Sequence, residues 1–302
     1  MTRLRKSPTV LTVSLACLLT ACSTGSKSGT RQAPGRSASI TSPEPAPLRP
    51  GSPINPRAVI GYLEREGANL VRQGKASTNL LAQTPPRTCR LRLTPASPQV
   101  LSPPQLVQKA EISVGVVGEF VIKGNAVRFN SFSSGFFLTE SGAFVICGHV
   151  LEKPAGKGYV VMTRDGRLWP MRAVLAAGST NDLAIVQVEG GGFTPLPVAP
   201  AAPIGSAVWV LSHPLGFFYT FTSGIVSGYI DQHDGQTARM SITADYAVGS
   251  SGAPVLDEHG AVVGVASETD TLFSGGTKNS APQMVLKLCV PSAALLNLIE
   301  QE

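Results

Sequence analysis

The sequence predicts an all-β fold for residues 111–302. Short apolar and β-branched runs alternate there with turns that contain Gly, Pro or Asp, and such close spacing is typical of an all-β sandwich or barrel. The segment is also long enough to bury a core of that type. The candidate strands are Ile112–Ile122, Val127–Leu138, Ala143–Cys147, Tyr159–Thr163, Leu168–Ala176, Leu183–Val188, Ala207–Leu211, Tyr219–Ile230, Met240–Ala244, Val255–Ala266 and Met284–Val290.

Helices are predicted only at the two ends of this β-region. Apolar residues in Asn55–Ala76 recur near helical spacing, and Pro56 stands where a first-turn proline is favoured. We therefore predict that residues 56–110 contain one amphipathic helix, in Asn55–Ala76, and a Pro-rich linker, with Ser102–Ala110 as a candidate short helix that leads into the first strand. What the amphipathic helix contacts, the remainder of the chain or a partner, stays open. Pro291–Glu300 has the pattern of a short C-terminal amphipathic helix.

Residues 1–22 are typical of an export signal. Basic residues precede a short apolar stretch, Val10–Leu19, that is too short to span a bilayer as a mature helix. The residues Leu-Thr-Ala-Cys at 19–22 resemble a bacterial lipobox, which implies cleavage before Cys22 and a diacylglycerol on its sulfur. Ser23 then implies sorting to the outer membrane, on its periplasmic face, if the organism is Gram-negative. The alternative is an ordinary secretory peptide cleaved near Ala21.

Residues 23–55 are predicted to be a disordered tether. Ser, Thr, Gly and Pro dominate this segment, and it has too few large apolar side chains to offset the entropy of ordering. Residues 1–110 carry 15 basic and 3 acidic side chains, whereas residues 111–302 carry 10 and 16. The excess of positive charge therefore belongs to the exported N-terminal part. It either keeps a linker soluble or attracts it to an anionic membrane or cell-wall surface.

The turn Gly249–Pro254 is the first candidate functional motif. A Gly-Ser-Ser-Gly sequence between two apolar runs presents the hydroxyl of Ser251 at a tight bend. Its glycines allow the backbone N–H groups of Gly249 and Ser251 to face whatever that hydroxyl attacks, as in an oxyanion hole. The alternative is an ordinary Gly-Ser hairpin, which is common in β proteins.

A serine nucleophile needs a base and a group that orients the base. Of the four histidines, His149 is the one that ends a buried-type strand, whereas His213, His233 and His259 stand in loops or polar turns. Asp182 opens the apolar run Leu183–Val188, and a carboxylate in that place needs a polar partner. The chain order His149, Asp182, Ser251 is the order of the chymotrypsin-type triad.

Four blocks in order resemble bacterial trypsin-like proteases of the HtrA (high-temperature-requirement) type. They are the histidine block Ser133–His149, the aspartate block Asn181–Val186, the loop and strand Ser212–Ser227, and the serine block Gly249–Gly264. The resemblance covers about residues 111–300. It implies two six-stranded antiparallel β-barrels with the site between them, and a catalytic triad of His149, Asp182 and Ser251. It also implies that the strand Val263–Ser267, with Val265 and Ser267, pairs with the substrate backbone.

The implied function is that of a serine endopeptidase, lipid-anchored in the cell envelope, that acts on proteins or peptides. No cofactor is implied, and we find no His/Cys/Asp cluster with metal-ligand spacing. The chain ends at Glu302, which leaves no room for the PDZ domain that many HtrA-type proteases carry. Nucleic-acid binding is not expected, because no basic patch is interleaved with aromatic residues. The oligomeric state stays open.

Specificity is less well determined. Asp245 lies where trypsin-like enzymes have an aspartate that selects Arg or Lys, whereas HtrA-type enzymes have other residues there and prefer small aliphatic side chains. Alternatively, Asp245 caps its own loop or meets a solvated neighbour.

The sequence departs from the family pattern at Cys147, Ser250 and Ala253, so a catalytically silent, tethered protein- or peptide-binding module remains the alternative function. Cys89, Cys147 and Cys289 are an odd number of thiols whose pairing is not predicted.

Overall fold

The computed structural model describes residues 48, 52–77, 80, 85–152, 156–178, 180–231, 238–275 and 280–301. All of them belong to one compact unit, Pro45–Glu302. The predicted export signal, Cys22, His233 and most of the tether lie outside the described residues. Within the described ranges, no helix combines the length and apolar character that a membrane span requires.

The N-terminal part contains a composite helix and one further helix before the first barrel. The composite helix runs through α1 (Pro56–Tyr62), a π-helical turn (Leu63–Gly67) and α2 (Ala68–Arg72). The short strand β1 (Cys89–Leu91) and helix α3 (Pro103–Glu111) follow. The Asn55 side chain accepts hydrogen bonds from the first-turn N–H groups of Arg57 and Ala58, which fixes the helix start.

Two closed antiparallel barrels of six strands each form the body of the molecule, which confirms the predicted fold class. The first has the order β2-β3-β4-β7-β6-β5 and the second the order β10-β13-β12-β11-β8-β9. The strands of the first are β2 (Val114–Lys123), β3 (Ala126–Phe137), β4 (Ala143–Cys147), β5 (Lys157–Met162), β6 (Leu168–Gly178) and β7 (Leu183–Val188). Those of the second are β8 (Ala207–Ser212), β9 (Thr220–Asp231), β10 (Ala238–Ile242), β11 (Pro254–Leu256), β12 (Val262–Phe273) and β13 (Pro282–Pro291).

Two predicted elements need correction. The candidate strand Val255–Ala266 is two strands, because a turn closed by the Gly260 N–H on the Asp257 carbonyl separates β11 from β12. The predicted helix Pro291–Glu300 ends early: α4 covers Ser292–Leu296, and β14 (Ile299–Gln301) follows. β14 pairs in parallel with β1, so pairing with the N-terminal linker overrides the helical pattern.

The composite helix packs on the first barrel through close contacts with small residues. Leu63 is fully buried, and its side chain lies over Gly118 of β2, where an added Cβ would meet it at 3.1 Å. Gly67 lies against the ring of Phe120: a Cβ added to Gly67 would stand 2.4 Å from Cζ of that ring. The helix is therefore part of the protein's own core, which answers the question that the sequence left open.

The two barrels meet through an apolar cluster that contains residues of both. Val145 and Leu183 come from the first barrel, and Leu211, Val265 and Val290 come from the second. Hydrogen bonds cross the same junction, from the Ser134 N–H to the Ser251 carbonyl and from the Cys147 thiol to the Ala266 carbonyl. The predicted site residues cluster at this junction.

Candidate active site

Strand pairing in the first barrel brings His149 and Asp182 together. Cys147, the last residue of β4, pairs with Leu183, the first residue of β7, so the residues just beyond these strand ends are neighbours. His149 Nδ1 lies 2.8 Å from Asp182 Oδ2, and the His149 backbone N–H donates to Asp182 Oδ1 at 2.8 Å. A second backbone bond joins the Gly148 N–H to the Asp182 carbonyl at 2.9 Å.

Asp182 has an unusual backbone conformation, and both oxygens of its carboxylate accept hydrogen bonds. Its φ angle is +56°, a region that aspartate tolerates better than most residues. Besides the two His149 groups, the Ser267 hydroxyl donates to Oδ2 at 2.7 Å. These donors stabilise the ionised carboxylate, so burial at the barrel junction leaves no unpaired charge.

The charges of this pair shift both pKa values. Burial lowers the pKa of His149, but the hydrogen bond to Asp182 and its negative charge outweigh burial, so the pKa is raised above 6.5. Burial raises the pKa of Asp182, but bonds from His149 and Ser267 and the charge of His149 lower it below 3.8. Because the carboxylate only accepts hydrogen bonds, Nδ1 of His149 carries the proton, and Nε2 of the neutral ring is free to accept one.

Ser267 links Asp182 to Ser251 through a β-bulge. The register of β12 against β13 shifts between Ala266 and Glu268, which makes Ser267 the extra residue. Its hydroxyl binds Asp182, and its carbonyl accepts the Ser251 hydroxyl at 3.1 Å. The sequence indicated Ser267 only for substrate pairing, because a bulge depends on the register of two strands and leaves no signal in the sequence of one strand.

Ser251 therefore belongs to the same hydrogen-bonded network as His149 and Asp182. The network differs from a complete catalytic triad in the hydrogen bond of the Ser251 hydroxyl. Among the described residues, the Ser251 hydroxyl bonds to the Ser267 carbonyl and makes no hydrogen bond to the His149 ring. Hydrogen bonds of this kind are often long in the absence of a substrate and tighten when one binds.

The serine turn needs glycine on both sides of its two serines. Gly249 has φ +98° and Gly252 has φ +91°. A Cβ on Gly249 would stand 2.5 Å from the His213 carbonyl oxygen, and one on Gly252 would stand 2.2 Å from the Ser134 carbonyl oxygen. The first barrel also holds this turn through the Ser134 hydroxyl, which donates to the Gly249 carbonyl at 2.8 Å.

Two backbone donors of the turn are left for a ligand. The Val248 carbonyl accepts the Leu215 N–H at 2.7 Å. In a trans peptide the carbonyl and the N–H point in opposite directions, so this bond directs the Gly249 N–H away from Leu215. Within the described part of the chain, neither the Gly249 N–H nor the Ser251 N–H donates a hydrogen bond to a protein acceptor.

Other predicted site residues lie elsewhere. The side chain of Asp245 is 85% exposed, with an oxygen 3.5 Å from Lys287 Nζ, so it does not lie at the bottom of a pocket. Val265 is fully buried and pairs with Pro254 on one edge and Val290 on the other, so it has no free edge for a substrate. The prediction of substrate pairing is therefore wrong for Val265.

Tyr246 contacts the residue that follows Ser267, and the sequence did not single it out. Its side chain is 4% exposed, and its hydroxyl donates to the Glu268 carbonyl at 3.0 Å, immediately after Ser267. It therefore bridges the loop before Ser251 to β12. Its position next to Asp245 in the sequence was the available signal. The alternation of side chains along the loop does not by itself indicate which of these two residues points into the protein.

His213 and His259, the other histidines that the structure describes, do not compete for the role of base. His213 is fully buried, and burial lowers its pKa to about 3. Its Nδ1 accepts the Tyr219 N–H at 3.0 Å, which is a structural bond. His259 stands in the turn between β11 and β12, 3.7 Å from Glu258.

Cys147, His149 and Asp182 bring three possible metal-ligand atoms within 4.8 Å of one another, a cluster that spacing along the sequence did not indicate. Each is already engaged: the buried thiol donates to the Ala266 carbonyl, and the other two bind each other. Burial also raises the pKa of Cys147 well above 9.0, which disfavours the thiolate that a metal needs. Cys89, Cys147 and Cys289 are all free thiols.

Two six-stranded barrels with a histidine–aspartate pair and a Gly-x-Ser-Gly turn at their junction define the class of chymotrypsin-like peptidase domains. Residues 133–265 match the family model of the trypsin-like peptidase domain.

Several relatives are named as serine proteases. The chain is 26% identical over 176 residues to a probable periplasmic serine endoprotease DegP-like of Marinomonas sp., covering 57% of this chain and 35% of that protein. It is 27% identical over 216 residues to the serine protease PepD of Mycobacterium tuberculosis, covering 65% and 46%. It is 32% identical over 149 residues to the putative serine protease HhoA of Synechocystis sp., covering 44% and 35%. The chain thus spans less than half the length of these relatives.

The His149–Asp182 contact predicts a titration that NMR of the imidazole can measure. We expect a pKa above 6.5 in the wild type and a lower one in Asp182→Asn, because burial remains while the negative partner is lost. Protonated His149 stabilises the folded state fully below about pH 6.5, and this contribution disappears as pH rises through the higher folded-state pKa.

The matched control for this titration is Asp245→Asn, which removes an exposed carboxylate in the loop before Ser251. It is expected to leave the pKa of His149 unchanged. An equal pKa in the wild type and Asp182→Asn would contradict the electrostatic coupling.

Proposed function

We propose that this protein is a serine endopeptidase in which Ser251 is the nucleophile, His149 the general base and Asp182 the group that orients the imidazole. The observation that carries the proposal is the hydrogen-bonded line from His149 through Asp182 and Ser267 to Ser251. The names of the relatives support the same chemistry.

Hydrolysis proceeds in two halves. The Ser251 oxygen attacks the peptide carbonyl while His149 Nε2 takes its proton, and the tetrahedral oxyanion receives hydrogen bonds from the Gly249 and Ser251 N–H groups. The C–N bond then breaks, and His149 gives the proton to the leaving amine. Water attacks the acyl-enzyme in the same way and releases the acid, which restores the serine. Each oxyanion donor is typically worth about 3–4 kcal/mol in the transition state.

One movement precedes this chemistry. The Ser251 hydroxyl must turn from the Ser267 carbonyl towards His149 Nε2. The present direction of that hydroxyl is also the observation that favours the second candidate function, a tethered peptide-binding module without catalysis.

We propose further that the side chain before the cleaved bond is small. β11 pairs with β12 as far as Val265, and the Gly252 N–H binds the Ala266 carbonyl, so the free edge of β12 begins after Ala266. A substrate strand on that edge, with its carbonyl at Ser251, points the preceding side chain between the serine turn and β12. In this proposal Tyr246, whose hydroxyl bonds the Glu268 carbonyl at that edge, limits the space, and the exposed Asp245 offers no buried partner for Arg or Lys.

The cellular setting is proposed from the N-terminal sequence. We propose that residues 1–22 direct export, that Cys22 is lipidated and that residues 23–55 tether the domain of residues 111–302 to a membrane of the cell envelope. Three relatives named as periplasmic DegP-like endoproteases support an envelope location. Its substrates are then proteins or peptides on the exported side.

An organophosphonate or sulfonyl fluoride is expected to label Ser251 covalently in the folded wild type and to leave Ser251→Ala unlabelled, by intact mass. Ser250→Ala is the matched control, because Ser250 is buried and bonded to Ser212, and it is expected to retain the labelling. Absence of labelling in a folded wild-type protein would favour the binding module.

A peptide panel that differs only in the residue before the cleaved bond tests the role of Tyr246. We expect kcat/KM to be higher for Gly and Ala than for Leu, Phe or Arg, and Tyr246→Ala to raise the ratio for Leu over Ala about tenfold or more.

Tyr246→Phe is the control for this panel, because it keeps the ring and should keep the preference for small residues. Cleavage after Arg or Phe by the wild type at a rate equal to cleavage after Ala would refute this specificity.

Cys22→Ser is expected to move the protein from the membrane fraction to the soluble exported fraction of expressing cells, since the acyl chains would be lost. Cys17→Ser is the control and should remain with the membrane. If Cys22→Ser stays with the membrane to the same extent, the lipid-anchor proposal fails.

A further inference from the structure

The composite N-terminal helix lies next to the machinery of the serine turn. Ile60 of α1 places its Cδ1 3.7 Å from where a Cβ on Gly216 would stand, and Phe132 of β3 places its Cζ at the same distance. The ring of Phe132 also reaches the serine turn itself, because its Cε2 lies 2.7 Å from the Cβ position of Gly249. Ile60, Phe132, Phe218 and Val59 belong to one apolar cluster.

The segment that Ile60 contacts orients an oxyanion donor. The Leu215 N–H, next to Gly216, binds the Val248 carbonyl at 2.7 Å and so directs the Gly249 N–H. The His213 carbonyl oxygen, at the start of the same segment, lies 2.5 Å from where a Cβ on Gly249 would stand, so it restricts the position of the Gly249 backbone from another side. The position of residues 213–216 therefore determines where one of the two donors points.

The backbone here has an unfavourable conformation: Leu215 within the segment has φ +50°, and Tyr219, just beyond it, has φ +58°, and both are bulky residues in the left-handed region. Such a conformation is unfavourable in free energy and persists where the surrounding structure enforces it. The surroundings are the tilted pair of Phe132 and Phe218, with ring centroids 5.4 Å apart, and the side chain of Ile60.

We propose that α1 acts as a positioning element for catalysis: Ile60, through Gly216 and Phe132, holds the 213–216 segment in the conformation that points the Gly249 N–H at the oxyanion. Ile60 touches neither substrate nor nucleophile. The proposal rests on the proposed function, and it assigns a role to a helix that lies outside residues 133–265 matched by the peptidase family.

The test compares Ile60→Ala with Val71→Ala in the full chain. Val71 is buried in the same apolar cluster and packs against Gly158 of β5, so its truncation removes a similar contact of the helix at another place. Ile60→Ala is expected to lower kcat about tenfold with KM nearly unchanged, since an oxyanion donor acts in the transition state. Val71→Ala is expected to lower the Tm with kcat retained at temperatures where the protein is folded, and Ile60→Val should restore most of the activity.

Hydrogen exchange supplies a readout that needs no activity. The backbone amides of residues 245–252 are expected to exchange faster in Ile60→Ala than in the wild type or Val71→Ala. Equal exchange and equal kcat in the two alanine variants would overturn the proposal. If the wild type neither cleaves peptides nor labels at Ser251, the proposed function fails, and the exchange comparison alone then decides whether α1 positions the serine turn.

Discussion

The ionised carboxylate of Asp182 is the group around which the two barrels are joined. A buried charge is tolerated when its hydrogen bonds are satisfied, and the donors here come from both barrels: His149 from the first and Ser267 from the second. The same Ser267 that completes this shell accepts the Ser251 hydroxyl. The hydrogen bonds that stabilise the Asp182 carboxylate therefore also bring Ser251 and His149 into one network.

The serine turn depends on a second constraint, the close approach of backbone to backbone. Gly249 and Gly252 lie so near the carbonyl oxygens of His213 and Ser134 that any side chain would clash. Two separate parts of the chain thus clamp the turn, the 213–216 segment on one side and β3 on the other. The N-terminal helix reaches both, because Ile60 and Phe132 meet at Gly216.

Much of this arrangement is predictable because it is local. An apolar strand followed two residues later by His149, an aspartate just before an apolar strand and a Gly-Ser-Ser-Gly turn each have a pattern in a few neighbouring residues. The two-barrel fold followed from the resemblance of ordered blocks. The failures are also specific: Val265 has both edges occupied, and the helix at the C-terminus gives way to β14, which pairs with β1.

By itself, the sequence determined the all-β architecture, and it pointed to His149, Asp182 and Ser251, the residues to which we assign the proposed chemistry. The tertiary structure alone decided how they are connected: the bulge at Ser267, the inward turn of Tyr246 and the contact of Ile60 with the 213–216 segment. The physical reason is that these features arise from the register and packing of segments far apart in the chain. A pattern of alternating side chains encodes which faces are apolar, but not which distant backbone will fill the space beside them.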